Sequence, residues 1–261
     1  MIKRVKYGAY DEYEQLLLKR EHYLKEAYQI QTTYSREFGD MINAAFEKMI
    51  ECVRLKKMLD MCQILINRGQ DIDVDVMDET IRSELANIYA ELGDMLTNTK
   101  AAKHCSPAPA AVALEVKRTY QKLAKLLHPD MHPMTDTVPE RKELWNCITV
   151  AYYYNDLEEL KRLEDYTLAA ADRLGIGGGR TEIPDIEKRI AQLEREINEL
   201  ITSVPYLYKE ILDDPAEMEQ KRTNLRAELE EYEDDIQELQ EQLNEILMKS
   251  GRRITWQMNL Y

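Results

Sequence analysis

Apolar residues recur at helical spacing along the first quarter of the chain. No proline interrupts this pattern between Tyr10 and about Asn67, and steps of three, four or seven residues would place the apolar positions on one face of a helix. These positions are Phe38, Ile42, Ala45, Met49, Cys52, Leu59, Cys62 and Ile66. The pattern predicts a single helix on the order of 80 to 90 Å long, with Gly39 as its weakest point.

A turn is predicted where this pattern stops. Residues Asn67 to Asp73 combine an Asn/Gly helix stop with aspartates that can cap a new helix. Beyond the turn, apolar residues follow at alternating steps of four and three, namely Ile81, Leu85, Ile88, Leu92 and Met95. Such a seam packs against a neighbouring helix, so we expect the second helix to fold back onto the first.

Two further heptad seams lie towards the C-terminus. The first covers residues 186–204 and is interrupted at Pro205, and the second covers residues 225–246 after an Asp-Asp-Pro turn signal. Each seam could pair with another chain. We favour an antiparallel hairpin within this chain, because closing a short loop costs less entropy than bringing two molecules together.

Breaks between these patterns divide the chain into consecutive segments. The predicted segments are a long-helix hairpin at 1–104, a central module at 105–173, a flexible glycine-rich linker at 174–184, and a coiled-coil hairpin with a tail at 185–261. Only nine glycines and eight prolines occur, while good helix formers are abundant. The sequence therefore predicts an elongated, all-α molecule.

Composition and charge narrow the possible partners. A formal net charge of -14 argues against general binding to nucleic acid or to anionic membranes. No run approaches the roughly 18 apolar residues that a membrane span needs, so we expect a cytoplasmic protein. The four cysteines are far apart, which favours reduced thiols over a metal or redox pair. We predict no cofactor and no metal.

The segment from Val116 to Asp130 carries the strongest functional signal. Its apolar residues share one face of a predicted helix, which His128-Pro129-Asp130 ends. Polar and basic residues occupy the other faces, namely Lys117, Arg118, Gln121, Lys122 and Lys125. Against Glu115 alone, these residues give a local charge of about +3, which indicates an acidic partner surface.

This segment resembles the second helix and the following loop of the J-domain in DnaJ-type co-chaperones. The residues that match the family pattern in register are Val116, Lys117, Arg118, Tyr120, Lys122, Leu123, Ala124 and the tripeptide His128-Pro129-Asp130. Further along, Trp145, Ile148 and Ala151-Tyr152 stand where the family's third helix has an aromatic residue, an isoleucine and an Ala-Tyr pair. Gln121 departs from a position that is often basic, and the family's first and fourth helices have no match at the usual places.

The resemblance implies a non-catalytic partner of a DnaK-type ATPase chaperone. Such a module docks on the ATP-bound chaperone through the tripeptide and the basic helix, and the chaperone hydrolyses its own ATP. Asp130 could accept charge-assisted hydrogen bonds from a partner arginine, and Pro129 would fix the backbone that aims it. We expect His128 and Asp130 to lie in an exposed loop, and the helical arms could bind protein clients.

Two other interpretations compete with docking. The chain could be a structural or adaptor protein that keeps the J-like core only as a scaffold. A metal site could use His104, Cys105, His128 and His132. Pro129 argues against the metal site, because the two histidines around it need not share a regular helical face.

Overall fold

The structure, a computed structural model, describes residues 7–105, 107–177 and 182–249. Within these residues the ordered elements are helices without any strand, which confirms the all-α prediction. The helices are α1 (Tyr7–Asn67), α2 (Val74–Glu84), α3 (Ala86–His104), α4 (Ala110–Leu127), α5 (Met134–Thr137), α6 (Pro139–Tyr153), α7 (Leu157–Ala169), α8 (Ala171–Leu174), α9 (Ile186–Ile201), α10 (Val204–Asp213) and α11 (Pro215–Lys249). The elongated outline stays a prediction.

The described residues form two compact units. The first unit contains residues 7–31, 107–177 and 182–207, and the second contains residues 32–105 and 208–249. This division differs from the four consecutive segments predicted above. The physical reason is the length of α1, which at about 1.5 Å per residue is long enough for its two halves to enter separate cores.

Helix α1 runs through Gly39 without a break. The prediction of a weak point there is wrong, because the glycine permits a close helix contact within the second unit. A Cβ atom at position 39 would lie 2.6 Å from Oγ1 of Thr99 in α3. The same hydroxyl accepts a 3.0 Å hydrogen bond from the buried Asn43 side chain, which satisfies the polar groups at this contact.

The predicted turn after α1 is confirmed. Gly69 takes a φ of 63°, a left-handed conformation that glycine adopts without strain. Asp73 then caps α2 by accepting a 3.2 Å hydrogen bond from the backbone N–H of Val76. The following seam packs on the second half of α1, but Leu85 separates α2 from α3, a break that no glycine or proline signals.

The two C-terminal seams find their partners in α1, which corrects the predicted C-terminal hairpin. In the first unit, Leu193 of α9 packs with Tyr13 and Leu17. In the second unit, Leu243 of α11 packs with Leu55. Loop entropy favoured the hairpin, but α1 offers each seam a continuous apolar face to bury, and such burial is the dominant favourable contribution to folding.

The break after the first of these seams also differs from the prediction. Helix α9 ends at Ile201, before Pro205, and that proline lies in the first turn of α10. A proline is tolerated in a first helical turn because the N–H that it lacks would have no partner within the helix.

The start of the predicted linker is held in place. Arg141 of α6 donates from Nε to the Leu174 carbonyl at 2.7 Å and from Nη2 to the Gly175 carbonyl at 2.7 Å. Leu174 and Ile176 are both buried in the core of the first unit. The prediction of a flexible linker is therefore wrong for these positions, and residues 178–181 of that segment lie outside the described residues. Among the described helices, none is long and apolar enough to cross a membrane.

Candidate partner-docking site

Helices α4 and α6 form the core around the tripeptide. Pro129 stands two residues after α4 ends, and Pro139 is the first residue of α6, where its missing N–H needs no partner. Tyr120 and Tyr152 stack with their ring centroids 3.7 Å apart and their planes at 10°. Ile148 and Tyr152 of α6 are buried in the same core as Tyr120 of α4.

The loop between these helices is anchored rather than free. It contains the short helix α5, and Met131 is fully buried among Tyr13 and Leu17 of α1. The Nε2 atom of His132 lies 2.7 Å from the carbonyl oxygen of Lys125 in the last turn of α4. These contacts hold both ends of the tripeptide in a defined position.

His128 is buried, with 5% of its surface exposed. Its ring meets Trp145 nearly edge-on, with centroids 4.9 Å apart, and its Nδ1 atom accepts a 3.1 Å hydrogen bond from the backbone N–H of Asp130. The Nε2 atom lies 3.8 Å from a carboxylate oxygen of Glu21. The predicted exposure of His128 is therefore wrong, because a distant segment, the first part of α1, covers the ring.

Asp130 remains accessible. Its side chain is 40% exposed, and its Oδ2 atom lies 3.5 Å from Nη2 of Arg20. Arg20 is also 3.0 Å from carboxylate oxygens of both Glu21 and Glu196. The Asp130 carboxylate thus has a long contact with Arg20, a 4.0 Å approach to Nδ1 of His128, and partial access to solvent.

A buried polar network lies beneath the tripeptide. Glu21 accepts a 3.4 Å hydrogen bond from the hydroxyl of Tyr120. Burial alone would raise the pKa of Glu21, but His128 and Arg20 outweigh burial and hold that pKa below its ordinary value. Glu21 therefore stays a carboxylate, which explains why α1 can place it in a core beside a histidine and an arginine.

Lys25 extends this network, and its ammonium group is also buried. The residue is 4% exposed. Its Nζ atom donates a 2.7 Å hydrogen bond to Oδ1 of Asn155 and lies 4.0 Å from the ring centroid of Tyr152. Burial lowers the pKa of Lys25 to about 8. Sequence reasoning missed Glu21 and Lys25, although both follow Leu17 at steps of four on an otherwise apolar face of α1.

The basic side of α4 is only partly free. Lys122 pairs with Glu164 of α7 at 3.0 Å, and Lys125 pairs with Glu14 of α1 at 2.7 Å. Arg118 is exposed and Lys117 is half-buried, and neither makes an ion pair with the residues that the structure describes. Gln121, one turn further along α4, is half-buried.

The other candidate chemistry gains no support in the described ranges. No group of three or more His, Cys, Asp or Glu side chains is placed there to hold a metal ion. Cys52 and Cys62 are buried in the second unit, where burial raises the pKa of each thiol, and Cys147 is exposed.

Comparison of the chain with protein-family models, with curated proteins and with solved structures finds no match. The likeness to the J-domain therefore rests on the sequence motif alone.

Proposed function

We propose that this protein is a J-domain-type co-chaperone that docks on a DnaK-type ATPase chaperone and stimulates its ATP hydrolysis. The observation that carries the proposal is the accessible Asp130 carboxylate, which follows a helix with exposed basic side chains. A carboxylate of this kind can accept a bidentate pair of hydrogen bonds from a partner arginine. Arg118 and Lys117 supply positive charge that steers an acidic partner surface towards it.

In this proposal the three residues of the tripeptide have different roles. Asp130 contacts the chaperone, and Pro129 restricts the backbone before it. His128 supports the loop from beneath, because its Nδ1 atom accepts a hydrogen bond from the backbone N–H of Asp130 and its ring packs on Trp145. The protein itself contributes contacts and no bond-making group, so it is not an enzyme.

The test is the rate of ATP hydrolysis by a DnaK-type chaperone under single-turnover conditions, with and without the full chain. We expect wild type to raise the rate and Asp130→Asn to abolish the increase. Asp136→Asn is the matched control, since Asp136 is an exposed aspartate of the same loop, and it should stimulate like wild type. Equal stimulation by all three proteins would refute docking through Asp130.

A structural or adaptor role is the second candidate, and the burial of His128 favours it. The tripeptide contributes to the core of the first unit through Trp145 and Glu21, a use that needs no partner. Under this alternative the helical arms would bind client proteins, and wild type would leave the chaperone ATPase rate unchanged. The same rate measurement therefore separates the two candidates.

A further inference from the structure

The geometry around Asp130 points to an internal competitor for the docking partner. We infer that Arg20 of α1 competes with the partner's arginine for the Asp130 carboxylate, so that α1 sets the affinity of the docking surface. This inference rests on the proposed function and adds a form of regulation to it.

The contacts of Arg20 are unequal. Its guanidinium lies 3.0 Å from Glu21 and 3.0 Å from Glu196, but 3.5 Å from Asp130. A distance of 3.5 Å is at the long limit for a hydrogen bond, so the contact with Asp130 is the easiest of the three to exchange. If it is lost, the two carboxylates at 3.0 Å remain as partners for Arg20.

A second residue of α1 forms an ion pair with α4, the proposed docking helix. Glu14 lies 2.7 Å from the ammonium group of Lys125, and its side chain is 17% exposed. One helix thus places a cation on the proposed anionic contact and an anion on the basic face. These are the charges that an acidic partner with an exposed arginine would bring, so α1 acts as an internal substitute for that partner.

The competition works through side chains and leaves the helix in place. Tyr13 and Leu17, on the same part of α1, are buried in a core with Met131, so α1 remains packed when the contact between Arg20 and Asp130 is lost. An exposed or half-exposed ion pair is weak and is screened by salt. We therefore expect modulation of affinity by a few fold rather than complete inhibition.

The experiment measures the dissociation constant of the full chain for an ATP-bound DnaK-type chaperone. Arg20→Gln removes the competitor, and we expect it to bind about two to five times more tightly than wild type, the range that one weak ion pair permits. Glu196→Gln removes one of the other two partners of Arg20. Because Arg20 then turns more fully to Asp130, this variant should bind about two times more weakly. Arg162→Gln is the matched control, since Arg162 is an exposed arginine paired only with Glu159 among described residues, and it should bind like wild type.

The outcomes separate this inference from the proposed function. If wild type binds and Arg20→Gln binds equally or more weakly, the competition is refuted and docking stands. If neither protein binds, both ideas are refuted. If Arg20→Gln alone binds, both are supported. If Arg20→Gln fails to fold, Glu196→Gln decides, and binding that is equal to or tighter than wild type overturns the competition.

Discussion

The two units of this protein are stabilised by different kinds of core. Of the buried polar or charged side chains in the described residues, seven belong to the first unit and only Asn43 and Thr99 belong to the second. The first unit buries Glu21, Lys25 and His128 beneath stacked aromatic rings. The second unit packs aliphatic, methionine and cysteine side chains of α1, α2, α3 and α11 in its larger cluster, and Tyr34, Phe38 and Leu225 in a smaller one. Buried polar groups require specific partners, so the first unit depends on a defined geometry that the second does not need.

This difference explains where the candidate site lies. An apolar core tolerates volume-conserving substitutions at little cost, whereas a buried carboxylate, ammonium group and imidazole each need a specific hydrogen-bond or charge partner. The Asp130 backbone N–H is held by such a group, His128. The unit with the polar core is thus the one that can present a contact residue in a single orientation.

The largest predicted effect is a loss of packing in the apolar core of the second unit. Leu55→Ala removes a fully buried side chain, and the lost burial and the cavity should lower the free energy of unfolding by about 2 to 5 kcal/mol. Ile64→Ala, at an exposed position of the same helix, should change it by less than about 1 kcal/mol. Denaturant unfolding of both variants tests the comparison, and equal losses would contradict an apolar core centred on α1.

The polar core of the first unit should make stability depend on pH through Lys25. Its pKa is lowered to about 8 in the folded protein, whereas an unfolded lysine titrates near 10.4. Between these values the unfolded chain holds a proton that the folded chain has released, so the free energy of unfolding rises with pH in this window. The rise should approach about 3 kcal/mol as an upper bound.

Lys25→Met provides the measurement for this prediction. Denaturant unfolding at pH 7, 8, 9 and 10 should show the stability of wild type rising relative to the variant, because methionine keeps a similar apolar stem without the titrating group. A constant difference between the two proteins across this range would mean that the Lys25 ammonium group is not buried at a cost.

A smaller effect should distinguish two helical glycines of the second unit. Gly39→Ala places a Cβ atom against Thr99, and this overpacking should destabilise the protein by about 1 to 3 kcal/mol. At Gly93 of α3, an added Cβ atom would meet nothing within 4 Å, so Gly93→Ala should stabilise by about 0.5 to 1 kcal/mol through helix propensity. Thermal melts of both variants should give opposite signs, and stabilisation by both would contradict the close contact of α1 and α3.

The smallest predicted effect concerns charge on α4, the proposed docking helix. Gln121→Lys should strengthen binding to the ATP-bound chaperone by about 0.5 to 1 kcal/mol, mainly through a faster association at low salt. Reversing the charge at Lys117 and Arg118 together should slow association. Stopped-flow measurements at two salt concentrations check both changes, and rates that ignore charge and salt would remove α4 from the docking surface.

The sequence predicts elements better than it predicts their partners. The helical period from Phe38 to Cys62 and the turn at Gly69 depend on neighbours within a few residues, and both agree with the structure, whereas Ile66 at the end of the pattern is exposed. The pairing of α9 and α11 with separate halves of α1 depends on which apolar faces compete for burial over long distances, and no local pattern reports that. For the same reason the sequence identifies the tripeptide by its local motif, but it does not predict that Glu21, more than a hundred residues earlier, covers His128.

The central claim is that adjacent residues of the tripeptide have different roles, with His128 supporting the fold and Asp130 free to contact a partner. The free energy of unfolding of His128→Gln and Asp130→Asn, each relative to wild type, tests it most directly. We predict a loss of about 1 to 3 kcal/mol for His128→Gln, since a buried ring with a hydrogen-bonded neighbour is replaced. Asp130→Asn should change stability by no more than about 0.5 kcal/mol, because its ion pair is long and half-exposed. Equal losses in the two variants, or a larger loss for Asp130→Asn, would contradict this division.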